Sequence, residues 1–209
     1  MTFGKNVFIN CPFDKDYIND LLKPILYILI RNGFNPRLAL EVSDSGQFRL
    51  DKILEIIKEC KYSVHDLSKV KSSHANEYAR MNMPFELGLD YAIRKTGQGD
   101  LSQKKFLILE AVKYDYMKAL SDINGLDVKV HKDNTQCIFE CLHAWLSETL
   151  NIKKLDPPIK TFDDFIEFNT SLFEEKLKEF NSQRIALNYI EKISIPEYIE
   201  EVKDRISYH

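Results

Sequence analysis

Glycine and proline are scarce, seven of each in 209 residues, which leaves little room for a long unstructured linker. No apolar run approaches the roughly 20 residues that a membrane-spanning helix needs. The closest, Ile25 to Ile30, is interrupted at once by Arg31-Asn32-Gly33, so no membrane partner is expected. A basic excess is also missing. Lys and Arg number 29 against 32 Asp and Glu, a net charge of −3, so no overall field gathers nucleic acid and direct nucleic-acid binding is not expected. The four cysteines, Cys11, Cys60, Cys137 and Cys141, show no disulfide-framework spacing. The opening Met-Thr-Phe-Gly-Lys-Asn lacks a signal-peptide shape. Together these point to a reducing cytoplasm. Cys137 and Cys141 stand at i,i+4 beside His143; small cysteines on a core face explain them better than metal ligation, and no metal is expected.

What the chain does contain is strand alternating with helix. Val7-Phe8-Ile9 is a short apolar strand, ended by Asn10-Cys11-Pro12-Phe13-Asp14, a turn that opens a helix. Tyr17, Leu21, Leu22, Ile25 and Leu29 then recur at helical spacing. Pro24 lies within that pattern and predicts a kink or a broken turn, and Asn32-Gly33 predicts the stop. Phe34 to Glu41 reads as a second strand. Ser43 to Gln47 reads as a loop before a helix with apolar positions Leu50, Ile53, Leu54 and Ile57. Tyr62 to Val64 is the third strand and Lys69 to Arg80 a polar loop. A helix runs from about Met83 to Lys95 and closes at Thr96-Gly97. Phe106 to Ala111, apolar throughout, suits a central parallel strand, and Leu126 to Val130 is a fifth. Gln136 to Leu150 is a helix with Ile138, Phe139, Leu142, Trp145 and Leu146 inward. This alternation predicts an α/β doubly wound parallel five-stranded sheet with right-handed crossovers over residues 1–156. After Asp156-Pro157-Pro158 the pattern turns helical and charged, with only Ser194-Ile195 as a short strand candidate. Residues 157–209 read as a C-terminal helical appendage. Phe162, Phe165, Phe168, Leu172 and Phe173 form its docking stripe.

The residues suited to chemistry collect at one edge of that sheet. Strand Tyr62 to Val64 leads into His65-Asp66-Leu67-Ser68, and a loop runs into the helix carrying Asn82-Met83-Pro84-Phe85-Glu86-Leu87-Gly88. Asp66, Ser68 and Glu86 therefore gather at the carboxyl ends of the strands, where open α/β sheets bind ligands. Glu86 reads either as a first-turn carboxylate complementing the helix dipole or as a functional group. Pro84 in the first turn and Asn82 as an N-cap leave less need for Glu86 as a cap. Gly88 removes bulk where a ligand or strand approaches. Asp66 is placed to hold ribose hydroxyls or to cap the next turn, and Ser68 shares that ambiguity. His65 alternates with Asp66 and reads as a core histidine on the opposite face. The first loop lacks the glycines of a dinucleotide-binding or P-loop fingerprint. Arg37 and Arg49 are candidates for a diphosphate or for surface ion pairs. No nucleophile elbow or Ser-His-Asp order is visible.

Asn10-x-Pro12, Asp66, Ser68 and Asn82-x-Pro84-x-Glu86-x-Gly88 resemble the bacterial TIR-like superfamily, which is related in fold to the nucleoside 2-deoxyribosyltransferases. The resemblance covers roughly residues 5 to 150 and implies a flavodoxin-like sheet. It departs in the first strand, where Ile-Asn-Cys-Pro-Phe-Asp replaces the usual serine-containing box. By resemblance Glu86 is the catalytic residue, and Asp66 holds the sugar. Asn10, Pro12 and Phe13 border the nucleotide, Asn82 and Ser68 lie beside it, and Arg37 or Arg49 meets the diphosphate. The implied reaction is cleavage of an N-glycosidic bond to ribose, with NAD as substrate rather than cofactor. The implied partners are a nucleotide and further copies of the chain in a homo-oligomer, and the implied role is antiphage defence. Nucleoside or nucleotide glycosyl transfer, and a non-catalytic assembly module, are the alternatives.

Overall fold

In the computed structural model, residues 3–41, 46–71, 81–123 and 125–206 are described. Five strands, β1 (Asn6–Asn10), β2 (Asn35–Arg37), β3 (Tyr62–Asp66), β4 (Lys105–Glu110) and β5 (Lys129–Val130), form one sheet in the order β2-β1-β3-β4-β5. Every pair is parallel, with Asn10 opposite His65, Asp66 opposite Leu109 and Glu110 opposite Val130. This is the doubly wound, flavodoxin-like order, and its switch point lies between β1 and β3.

Strand alternation distributes the core over both faces. Val7, Ile9, Val64, Leu107 and Leu109 pack with α2 (Lys23–Arg31) and α5 (Thr135–Ala144). On the other face Phe8 meets Ile53, Ile56, Ile57 and Cys60 at α3 (Arg49–Glu59), and Ile108 meets Met83 and Leu87 of α4 (Asn82–Thr96). The expected Leu50 of the α3 stripe is exposed, and Ile56 takes its place inside.

The first helix begins as α1 (Lys15–Tyr17), widens into a π-helical stretch at Ile18–Leu22, and continues as α2. Pro24 explains the widening. Its ring crowds the carbonyl four residues back and it has no N–H, so the preceding turn relaxes to i→i+5. Gly33 ends α2 at φ +73°, with its N–H on the Ile30 carbonyl and the Phe34 N–H on the Leu29 carbonyl, 2.9 Å each. These are the two bonds of a Schellman cap.

Several boundaries differ from expectation. β2 stops at Arg37 because the Leu38 N–H donates to Glu41 Oε1 at 2.5 Å and turns the chain. β5 begins only at Lys129. In α4, Met81 occupies the N-cap position and Asn82 is the first helical residue, making no side-chain cap bond. Glu86 is therefore in the second turn, too far in to cap. Gly88 is exposed with nothing within 4 Å of the place a Cβ would take, so no neighbour approaches closely there. Residues 43–45 and 72–80 of the two expected loops lie outside the described residues.

The C-terminal segment folds as α6 (Pro158–Phe180), α7 (Gln183–Lys192) and α8 (Ile195–Ile206); Ser194-Ile195 forms no strand, since Ile195 opens α8. These helices share the core of the sheet's α2–α5 face. Phe165, Phe168, Leu172, Tyr198, Ile199 and Val202 belong to the same buried cluster as β1 and α2. Tyr27 stacks against Phe165 and Phe168 at 5.4 and 5.5 Å. Covered by the sheet on one side and these helices on the other, α2 buries every residue from Lys23 to Ile30.

Candidate functional site

At the β1–β3 switch point the β1–α1 loop and the start of α4 enclose a cavity of about 100 Å³. Asn10, Pro12, Phe13, Arg49, Asn82 and Glu86 all line it, with Ile9, Cys11, Ala39 and Met83. Six of the nine residues singled out from sequence thus converge on one cleft. They come from three segments far apart in the chain, the end of β1, the start of α3 and the start of α4.

Glu86 is the chemically conspicuous member. It is 8% exposed, and burial pushes its carboxyl up from 4.5 to about 7, opposed among the described residues by the positive charge of Arg49. No hydrogen bond among the described residues stabilises its anion. Such a group sits near half-ionisation at neutral pH, where a carboxylate is matched to both acid–base and charge-stabilising work. Cys11, also in the wall, has its thiol raised well above its ordinary value by burial and by Asp66 and Glu86, which leaves it protonated and inert.

Beneath the cavity runs a buried polar chain. Lys104 Nζ donates to the carbonyls of Ile57 (2.8 Å) and Cys60 and lies 3.2 Å from Asp90 Oδ1. That last contact is an ion pair without hydrogen-bond alignment, because Oδ1 has no aligned donor. Asp90 Oδ2 accepts from Ser63 Oγ and from His65 Nε2, the latter at 3.1 Å. Its carboxyl is held below the usual range: burial opposes this, but the hydrogen bonds from His65 and Ser63 and the charge of Lys104 outweigh it. With its proton on Nε2, His65 presents Nδ1 as an acceptor, and Asn10 Nδ2 fills it at 3.0 Å. Asn10 Nδ2 also donates to the Met83 carbonyl at 2.8 Å. His65 is a satisfied core histidine, on the opposite face from Asp66 as the alternation predicts.

Asp66 and Ser68 do not line the cavity. Asp66 is fully buried and accepts from Tyr17 OH (2.5 Å), Ser68 N (2.8 Å), Ser68 Oγ (2.5 Å) and His131 Nε2 (3.1 Å). Burial opposes ionisation, yet the hydrogen bonds from His131, Ser68 and Tyr17 hold its carboxyl below the ordinary value. Four donors leave little capacity for sugar hydroxyls, so Asp66 ties β3 to the first helix and to β5. Ser68 Oγ is also 2.8 Å from His131 Nε2. This is not a catalytic triad: His131 Nδ1 accepts the Asp133 N–H at 3.0 Å, so Nε2 carries the proton and cannot take one from Ser68. Arg37 is likewise elsewhere. Its guanidinium grips both Glu41 oxygens at 2.9 and 2.8 Å and Glu59 at 2.8 Å, the surface ion-pair role.

Sequence reasoning missed Asp90, His131, Lys104, Tyr17 and the Met83 carbonyl. Asp90 carried one available signal: it lies four residues after Glu86, a carboxylate on the same face of the helix. Among the described residues no group of His, Cys, Asp and Glu has the arrangement of a metal site, and no helix is long and apolar enough to cross a membrane. Comparison of the chain with protein-family models, with curated proteins and with solved structures gave no match in any of the three.

Proposed function

We propose that this chain is a TIR-like glycohydrolase that cleaves the N-glycosidic bond of a nucleotide, with NAD as the leading substrate. The observation that carries the reading is Glu86, a buried carboxylate without a hydrogen-bond partner among the described residues, in a cleft at the sheet's switch point. In NAD the nicotinamide nitrogen is already cationic. The C–N bond breaks with both electrons going to that nitrogen, so nicotinamide leaves neutral and needs no acid. The anomeric carbon becomes oxocarbenium-like, and ionised Glu86 stabilises the developing charge in a site shielded from water. Water then bonds to that carbon and releases a proton, giving nicotinamide and ADP-ribose. Arg49, exposed at the cavity wall, meets the diphosphate, and half-buried Phe13 offers a ring face to a base. The cellular role and homo-oligomeric state implied by the resemblance belong to this same proposal.

The cavity of about 100 Å³ is well below the roughly 300–1,000 Å³ of sites that enclose drug-sized ligands. It favours, as a second reading, a smaller glycoside such as a nucleoside. The test is base release from NAD and from nucleosides, wild type beside Glu86→Gln. Nicotinamide release that vanishes in the variant, with a wild-type rate rising with pH toward a plateau above about 7, is the expected result. Release of another base from nucleosides alone selects the second reading. Release that persists in Glu86→Gln, or no release of any base, overturns the catalytic assignment.

A further inference from the structure

The buried chain beneath the cavity decides which atom Asn10 shows to a ligand. Asp90 is acceptor-only when ionised, so His65 must carry its proton on Nε2 to bond Asp90 Oδ2. Nδ1 is then an acceptor, and so is the Met83 carbonyl. Both need a donor, and both are served by Asn10 Nδ2, at 3.0 and 2.8 Å. The amide therefore has one permitted orientation, and its two N–H bonds are spent. Among the described residues Asn10 Oδ1 has no partner, and its side chain lines the cavity together with Glu86. Asn10 Oδ1 and the Glu86 carboxylate are thus two acceptors among the groups that line this cavity.

We infer that Asn10 Oδ1 and Glu86 form an acceptor pair that selects ligands donating hydrogen bonds, namely the free vicinal hydroxyls of an unmodified ribose, and that His65 is the positioning residue that fixes this polarity. The inference rests on the glycosidase reading for its substrate class and on the hydrogen-bond geometry for the selection. A phosphate on the 2-hydroxyl of the ribose that carried the base replaces a donor with an acceptor-only anion set against Glu86. A 2-deoxy form of that ribose leaves one of the two acceptors unfilled. Both are disfavoured, by about tenfold or more, as the loss of one hydrogen bond at a charged or buried acceptor implies.

Calorimetric binding of ADP-ribose, and of its forms phosphorylated or deoxygenated at the 2-hydroxyl of the ribose that carried the base, measures this on the wild type. The same titrations on His65→Leu and His65→Gln test the positioning role. The expected result is a preference of about tenfold or more for ADP-ribose in the wild type. His65→Leu removes the acceptor that orients Asn10, so the preference collapses; His65→Gln, whose amide both accepts and donates, retains it. A purely structural histidine would weaken all three ligands in proportion and leave the ratio intact, overturning the positioning role. Equal binding of the three ligands by the wild type, or binding of none, overturns the acceptor pair. Selective binding without base release overturns the catalytic reading alone.

Discussion

Replacing Glu86 by Gln should stabilise the protein, and by an amount that depends on pH in a defined direction. Burial raises this carboxyl from 4.5 to about 7, so the folded protein holds a proton there that the unfolded chain releases. Folding therefore becomes less favourable as pH rises from about 4.5 to about 7, and the full penalty stands above that window. A displacement of roughly 2.5 in pKa, at 1.36 kcal/mol for each whole unit, corresponds to about 3 kcal/mol. Glutamine has nearly the same shape and never ionises, so it carries no such penalty. The variant should match the wild type near pH 4.5 and exceed it by about 3 kcal/mol at pH 8. For a chain of this size that is roughly 6–12 °C in Tm. Every other titrating group is common to both proteins, so the difference between two thermal scans at each pH isolates position 86. A difference that stays flat between pH 4.5 and 8, or a wild type more stable at pH 8, would refute the burial argument and with it the description of Glu86 as an unsupported anion.

Two further outcomes follow from the core. Asp90→Asn and Lys104→Met each break a fully buried ion pair and should each cost about 3–5 kcal/mol; the double variant should cost clearly less than the sum, and additive losses in a denaturant-melt cycle would show the contact to be idle. Phe168→Ala removes a ring packed between Tyr27 and Tyr198 and should cost about 3–5 kcal/mol. Calorimetry should still show one unfolding transition, because the C-terminal helices and the sheet share that core; a separate transition for residues 157–209 would contradict it.

The sheet was legible because its strands are short apolar runs punctuated by turn residues, and a buried parallel strand needs little else. Where local pattern and tertiary contacts disagreed, the pattern lost. Phe34 to Glu41 looks extended throughout, yet the Glu41 side chain folds back on Arg37 and Leu38 and halts the strand. Leu50 fits a helical stripe but lies in the first turn of α3, beyond the reach of the sheet. The cleft was legible through Glu86 and the Asn10–Phe13 loop, since strand ends and helix starts in this topology share one edge. The fate of Asp66 was not. Whether a strand-end carboxylate faces a ligand or a buried tyrosine and histidine depends on Tyr17 and His131, which lie 49 residues before it and 65 after it. No spacing rule links them.

The outermost strand has a consequence for how copies of this protein meet. β2 is three residues long, and its middle residue is Pro36, flanked by the charged Arg37. A strand laid against this border finds a missing N–H in the middle and a guanidinium at the end. The opposite border is the two-residue β5. Neither rim offers a template for backbone pairing, so the sheet is closed to growth at both sides. Whatever contact one copy makes with another must be built from side chains on helices and loops, and a fibre propagated strand by strand has nowhere on the native sheet to start.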